Sequence, residues 1–163
     1  LGSRGLGDVY KRQMRALITG ATSGIGKAFA LLLSQRGFDL ILASRNTAKM
    51  RKLQKILPTH VDIVTVDLTK EADCYHLYET VKATLIDLVI NNAGMGAVGR
   101  FSEIPLEKEL DMLNLNVRAV HILTKLFLQD FVRRDYGYIL NVASSAGFTA
   151  GPLMASYLSL IHI

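Results

Sequence analysis

The chain has 163 residues, half of them hydrophobic and a fifth charged, with 19 basic and 14 acidic side chains and a formal net charge of +5. That length suits one domain, and the composition is globular, which excludes a disordered or collagen-like chain. The densest apolar run, Ala28 to Leu33, is far shorter than the roughly 20 residues needed to span a membrane, and a single cysteine, Cys74, excludes an internal disulfide or a cysteine-built metal site and suits a reducing cytoplasm.

Both ends read as translated sequencing adapter. Residues 3–13, SRGLGDVYKRQ, contain Asp-Val-Tyr-Lys-Arg-Gln, one frame of the transposase mosaic end GATGTGTATAAGAGACAG. Residues 158–163, LSLIHI, are one frame of its reverse complement. The expectation is therefore a non-native tail over 1–13, a genuine segment over 14–157 and a second non-native tail over 158–163. Taking away Arg4, Lys11, Arg12 and Asp8 lowers the net charge to +3, too weak and too scattered to argue for nucleic acid.

From Met14 the chain repeats an apolar run, a turn and a helix-period stretch. Arg15 to Thr19 is a first predicted strand. Ile25 to Arg36 is a first helix with Ile25, Phe29, Leu32 and Leu33 on one face, stopped by Gly37. Leu40 to Ala43 is a second strand, and Thr47 to Leu57 a helix ended by Pro58. Val61 to Val66 is a third strand. Thr69 caps a third helix with Cys74, Leu77, Tyr78, Val81 and Leu85 as its apolar stripe. Ile86 to Ile90 is a fourth strand. A long helix places Leu113, Val117, Val120, Thr124, Phe127 and Phe131 three and four apart, and Tyr138 to Val142 is a fifth strand. Apolar strands joined through helices imply an α/β doubly wound parallel sheet, Rossmann-like, in the order 3-2-1-4-5.

The first turn reads Thr19-Gly20-Ala21-Thr22-Ser23-Gly24-Ile25-Gly26. Glycines between a first strand and a first helix let backbone N–H groups approach a pyrophosphate, which the helix N-terminus attracts. A tight turn without ligand is the plain alternative, but three glycines in this setting favour a dinucleotide.

The spacing is T-G-x-x-x-G-x-G, and here the chain resembles the classical short-chain dehydrogenase/reductase family. The resemblance covers all of 14–157. It implies cofactor contacts from Gly20, Thr22, Ser23, Gly24, Ile25 and Gly26, and from Asp67 and Leu68 after the third strand, where the family's aspartate meets the adenine. It implies the same for Asn91, Ala93 and Gly94 of the N-N-A-G motif. Asn116 matches the family's structural and proton-relay asparagine. Ser144, in Asn141-Val142-Ala143-Ser144-Ser145, lies thirteen residues before Tyr157 and matches the catalytic serine; Ser145 is its neighbour.

In that family the reaction is hydride transfer between a nicotinamide and a carbinol or carbonyl carbon. Tyr157 would exchange the proton on the substrate oxygen and Ser144 would orient that oxygen. A free tyrosine has a pKa of about 10, so a cation must lower it. The family places a lysine one helical turn on, where this chain has Ile161. A carboxylate ending the second strand would accept the ribose 2′-hydroxyl of NAD, whereas Ala43-Ser44-Arg45-Asn46 offers no acid and one arginine, which favours NADP through its 2′-phosphate.

His60, His76 and His121 are scattered without metal-ligand spacing, and Met95 and Phe148 sit on loops near the proposed site. The expectation is an NAD(P)-dependent oxidoreductase acting on a small-molecule alcohol or carbonyl, with no metal, no nucleic-acid partner and no membrane span, homo-oligomeric by family resemblance. The chain as written, without the lysine and later strands, is expected to be inactive. Two alternatives remain. An extended-family epimerase or dehydratase would carry G-x-x-G-x-x-G, and a non-catalytic nucleotide sensor on the same fold would lose the Ser/Tyr pair.

Overall fold

The computed structural model describes residues 13–148 and 151–162. Residues 1–12 of the tail expected over 1–13 lie outside the described residues; its last residue, Gln13, donates from its side-chain amide to the Gly37 carbonyl. Five strands, β1 (Arg15–Thr19), β2 (Asp39–Ser44), β3 (Val61–Thr65), β4 (Leu88–Asn91) and β5 (Tyr138–Asn141), form one parallel sheet in the order β3-β2-β1-β4-β5. Helices α1 (Gly24–Gln35), α2 (Thr47–Gln54), α3 (Glu71–Val81), α4 (Leu106–Leu113), α5 (Val120–Arg133) and α6 (Ala155–His162) complete the fold.

Successive side chains of a strand point to opposite faces, so the sheet divides the core in two. Ala16, Ile18, Leu40, Leu42 and Ile90 pack against Ala30 and Leu33 of α1 and Met50 and Leu53 of α2. Leu17, Ile41 and Val89 pack against Cys74 and Leu77 of α3 and Leu123, Phe127 and Phe131 of α5. Tyr78 meets Phe127 edge to face at 5.2 Å between ring centres. Its hydroxyl donates to Asp130 at 2.9 Å. Burying each large apolar side chain contributes about 1.5–3 kcal/mol. β5 closes one side of the sheet with Tyr138 and Leu140 exposed.

Three helical expectations need correction. In α1, Ile25 is 57 % and Leu32 43 % exposed, and the inward face is Gly26, Ala30, Leu33 and Ser34. Small residues there let the helix lie close to the β1 turn, which a hydrophobicity count undervalues. Thr69 does not cap α3. Its hydroxyl and N–H both donate to Asp67 Oδ1, the helix starts at Glu71, and Asp73 reaches back to the Asp67 N–H at 2.7 Å. Leu85 lies beyond that helix and is exposed.

The long helix is divided as well. Between α4 and α5 the backbone takes a π-helical turn over Asn114–Ala119. The extra residue per turn shifts the phase, so Met112, Leu115, Ala119 and Leu123 are buried while Leu113 and Val117 are exposed. Phe127 and Phe131 remain inward, as their spacing implies.

Candidate functional site

The carboxyl ends of β1 and β4 are tied together by side chains before any ligand is considered. Thr19, ending β1, accepts at Oγ1 from the N–H groups of Asn92 and Ala93, both at 3.0 Å. It donates to the Ile90 carbonyl at 3.3 Å. Asn92 returns the link, its Nδ2 donating to the carbonyls of Thr19 at 3.0 Å and Gly20 at 3.2 Å. Gly20 N–H donates to the Ala43 carbonyl at 2.9 Å, which brings in β2.

That stitching explains two of the glycines. Gly20 has φ +65°, and a Cβ on it would stand 2.8 Å from the Ala93 Cα. A Cβ on Gly26 would collide with Asn92 Nδ2 and the Gly20 carbonyl. Gly26 is buried under the turn rather than on the wall of the cleft, which gives it a packing place.

Above these strand ends opens a cleft of about 740 Å³. One wall is the β1 turn, with Gly20, Thr22, Ser23, Gly24 and Ile25. Ser23 starts α1 in an extended conformation with no side-chain cap, and the first turn of α1 holds no acidic residue. Its leading N–H groups and the positive end of its dipole are therefore available to an anion. A second wall is Ser44, the last residue of β2, and Arg45 after it, with Thr22 and Ser44 hydroxyls 3.2 Å apart across the gap. Arg45 is exposed and makes no ion pair among the described residues. Asp67 and Leu68 close the same side.

The floor is Asn91, Asn92, Ala93 and Gly94, continuing to Met95 and Gly96. Asn91 is 3 % exposed; its Nδ2 donates to Thr124 Oγ1 at 3.1 Å and Asn141 Oδ1 at 2.8 Å, and its buried Oδ1 has no hydrogen-bond partner among the described residues. Asn116, in the π-helical turn, grips the backbone of Met95 with both ends of its amide. π turns of this kind often mark functional positions.

The third wall is Val142, Ala143 and Ser144 after β5, with Tyr157, Leu160 and Ile161 of α6. Ser144 Oγ accepts from Ala146 N–H at 3.2 Å, turning the chain into the 3-10 turn Ser145–Phe148. Tyr157 lies over Gly96, its ring carbons 3.6 to 3.8 Å from where a Cβ would stand. Ile161 packs on Gly147 and faces the cleft in the place where the resemblance implies a lysine. Helix α6 runs through residues 158–162, within the stretch expected to be a tail.

The structure thus brings Asn116, Ser144 and Tyr157 to one cleft with every expected cofactor residue except Gly26. Phe148 is 93 % exposed and stands off the wall. Thr19 opens the T-G motif, but the sequence gives it no tie to β4, and the spacing assigns no site role to Ser44, Gly96 or Thr124. Thr124 carried a signal, a hydroxyl inside an otherwise apolar stripe. Among the described residues no three His, Cys, Asp or Glu side chains gather to hold a metal, and no helix is long and apolar enough to cross a membrane.

Comparison with known proteins agrees with this geometry. The family model described as short chain dehydrogenase matches residues 14–159. A very-long-chain 3-oxoacyl-CoA reductase of Pyrenophora tritici-repentis is 34 % identical over 152 residues, covering 87 % of this chain and 45 % of the relative. The Danio rerio very-long-chain 3-oxoacyl-CoA reductase-B is 34 % identical, with 88 % and 49 % covered. The chain spans about half the length of these curated relatives. Among solved structures, a short-chain dehydrogenase from Sphingobium yanoikuyae in complex with NADPH superposes with a TM-score of 0.84 at 30 % identity, covering 91 % of this chain and 61 % of its own. A bulky-bulky ketone specific alcohol dehydrogenase from Comamonas testosteroni gives 0.84 at 29 %, with 91 % and 62 % covered. With its parallel sheet, its stitched glycine turn and a family match over nearly its whole length, the chain belongs to the short-chain dehydrogenase family.

Proposed function

We propose that residues 14–157 are the cofactor-binding part of an NADP-dependent oxidoreductase that interconverts an alcohol and a carbonyl. The observation that carries this is the meeting of the uncapped start of α1 with Ser144 and Tyr157 on one cleft. The residues present fit a dinucleotide. Space over Gly24 is open, with no atom of the described residues within 4 Å of where a Cβ would stand. The α1 N-terminus would take the pyrophosphate, and Asp67 and Leu68 would flank the adenine. Arg45 would pair with a 2′-phosphate, which favours NADP over NAD. When bound, the nicotinamide supplies a hydride.

The chain's own groups supply the rest. Ser144 holds the substrate oxygen by a hydrogen bond, and Tyr157 gives that oxygen its proton in the reducing direction or takes it in the other. Asn116, bound to Met95, keeps the floor of the cleft in place. The names of the similar proteins, 3-oxoacyl-CoA reductases and a ketone-specific alcohol dehydrogenase, support a ketone carbonyl as substrate. The family supports a homo-oligomer, and the lone thiol a cytoplasmic setting.

Ile161 departs from the family's pattern and offers Tyr157 no cation, so the 163-residue chain itself does not turn over. We take residues 1–13 and 158–163 as non-native additions.

The test is NADPH binding by this chain, followed by NADPH oxidation with a panel of aldehydes and ketones in a version extended past Tyr157. In the extended protein Tyr157→Phe loses most activity yet still binds NADPH, Ser144→Ala is severely impaired, and Ser145→Ala is mild. An active Tyr157→Phe variant overturns the reading. The family alternative with bound NAD is disfavoured by Gly20, Gly24 and Gly26, and the non-catalytic sensor by the Ser/Tyr pair.

A further inference from the structure

Helix α6, Ala155–His162, carries Tyr157 in its first turn, and one turn of helix is not held in place by its own hydrogen bonds. Where it stands, and with it Tyr157, is decided by what it is tied to. Two ties cross from its segment to the stretch that follows β4. Gly99 N–H donates to the Leu153 carbonyl at 2.8 Å. The second is made by side chains: Ser156 Oγ donates to Glu109 Oε1, on α4, at 2.5 Å in a partly buried setting. Ser156 is the residue before Tyr157, and on a helix adjacent residues point about 100° apart. Ser156 is thus held by α4 while Tyr157 rests over Gly96 at the cleft.

We infer that Glu109 is a positioning residue that acts through Ser156 to set Tyr157 in the cleft. The inference rests on Tyr157 being the proton-exchanging group. A hydroxyl bound to a carboxylate is short and strong, and it lies one residue from the phenol whose place matters. Glu109 has a plainer possible reason to be acidic, since it sits in the first turn of α4 beside Glu107 and a negative charge favours a helix N-terminus. The two roles separate by substitution. Glutamine keeps an oxygen that can accept from Ser156 but loses the charge that a helix dipole needs.

The experiment is amide hydrogen exchange of the full 163-residue chain, comparing α6 with β1 and β4. Glu109→Leu and Ser156→Ala are each expected to lower the protection of α6 by about tenfold or more, with the sheet unchanged. The double variant is expected to lose no more than either single one, and Glu109→Gln to stay within about threefold of the parent. The Tyr157 ring resonances, followed by NMR, are expected to move in the same order. Ser156→Ala alters one small side chain and keeps the test open if Glu109→Leu fails to fold. Additive losses, losses shared equally by the sheet, an α6 without protection in the parent chain, or Glu109→Gln behaving like Glu109→Leu would each overturn the inference. Tyr157→Phe leaves the Ser156 to Glu109 bond intact, so failure of the proposed function through that variant is read separately.

Discussion

Asn116 meets the backbone of Met95 twice: its Nδ2 donates to the Met95 carbonyl at 2.8 Å, and its Oδ1 accepts from the Met95 N–H at 3.0 Å. One side chain thereby replaces a strand partner for the loop that leaves β4. Asn116→Ala leaves both Met95 groups without their partner and is expected to cost about 1–3 kcal/mol. Asn116→Asp should cost more, because a carboxylate oxygen would face the Met95 carbonyl. Urea unfolding of the three proteins measures the order; an Asp variant as stable as the parent would contradict the bidentate role.

The glycine turn makes a second expectation. Gly26→Ala drives a methyl group into Asn92 and the Gly20 carbonyl, for a loss of about 3 kcal/mol, since neither backbone nor a clamped amide can yield cheaply. Gly24→Ala enters open space and suffers only from its φ of +49°, for roughly 1–2 kcal/mol. Thermal unfolding should rank them in that order. Equal losses would mean that the turn moves as a unit.

Cofactor choice turns on Arg45. In the protein extended past Tyr157, NADPH should bind more tightly than NADH, and Arg45→Asp should flatten or reverse that preference. Loss of a charge-assisted contact with phosphate is worth about 1.5–3 kcal/mol, or roughly tenfold to a hundredfold in affinity. Titration calorimetry with both nucleotides decides it. Equal affinities before mutation would remove Arg45 from the site and leave the fold untouched.

Cys74 carries the pH expectation. Burial, then the charges of Asp73 and Glu71, push its thiol up from 9.0 to about 11. Unfolding returns it to the ordinary value, so the unfolded chain gives up this proton first as pH rises. The contribution of Cys74 is fully present below about pH 9 and is lost between there and about pH 11, on the order of 1–2 kcal/mol. Urea midpoints across that range should fall more steeply in the parent than in Cys74→Ala. Parallel curves would deny the linkage.

The strand order and the place of the glycine turn were legible because parallel strands buried on both faces leave long apolar runs, and those runs end where the loops begin. The faces of the helices were less legible. Ile25 and Leu32 look like core residues to a count of hydrophobic positions, yet α1 packs through Gly26 and Ala30 because closeness to the turn matters more there than side-chain volume. Leu113 and Val117 fit a 3.6-residue period that the backbone does not keep. The ties from Thr124 to Asn91 and from Ser156 to Glu109 join residues 33 and 47 positions apart, which no local pattern encodes.

The π-helical turn of Asn114–Ala119 makes the chain's length at that point as constrained as its composition. An ordinary surface helix can often absorb a substitution at the cost of one side chain's contacts. Deleting a single residue here would instead rewind the turn to the α-helical period and rotate everything upstream by about 100° relative to α5. With Phe127 and Phe131 anchored in the core, the rotation would fall on Asn116 and α4, and the amide would swing off Met95. Descendants of this sequence are therefore free to vary many letters of the segment but not their number.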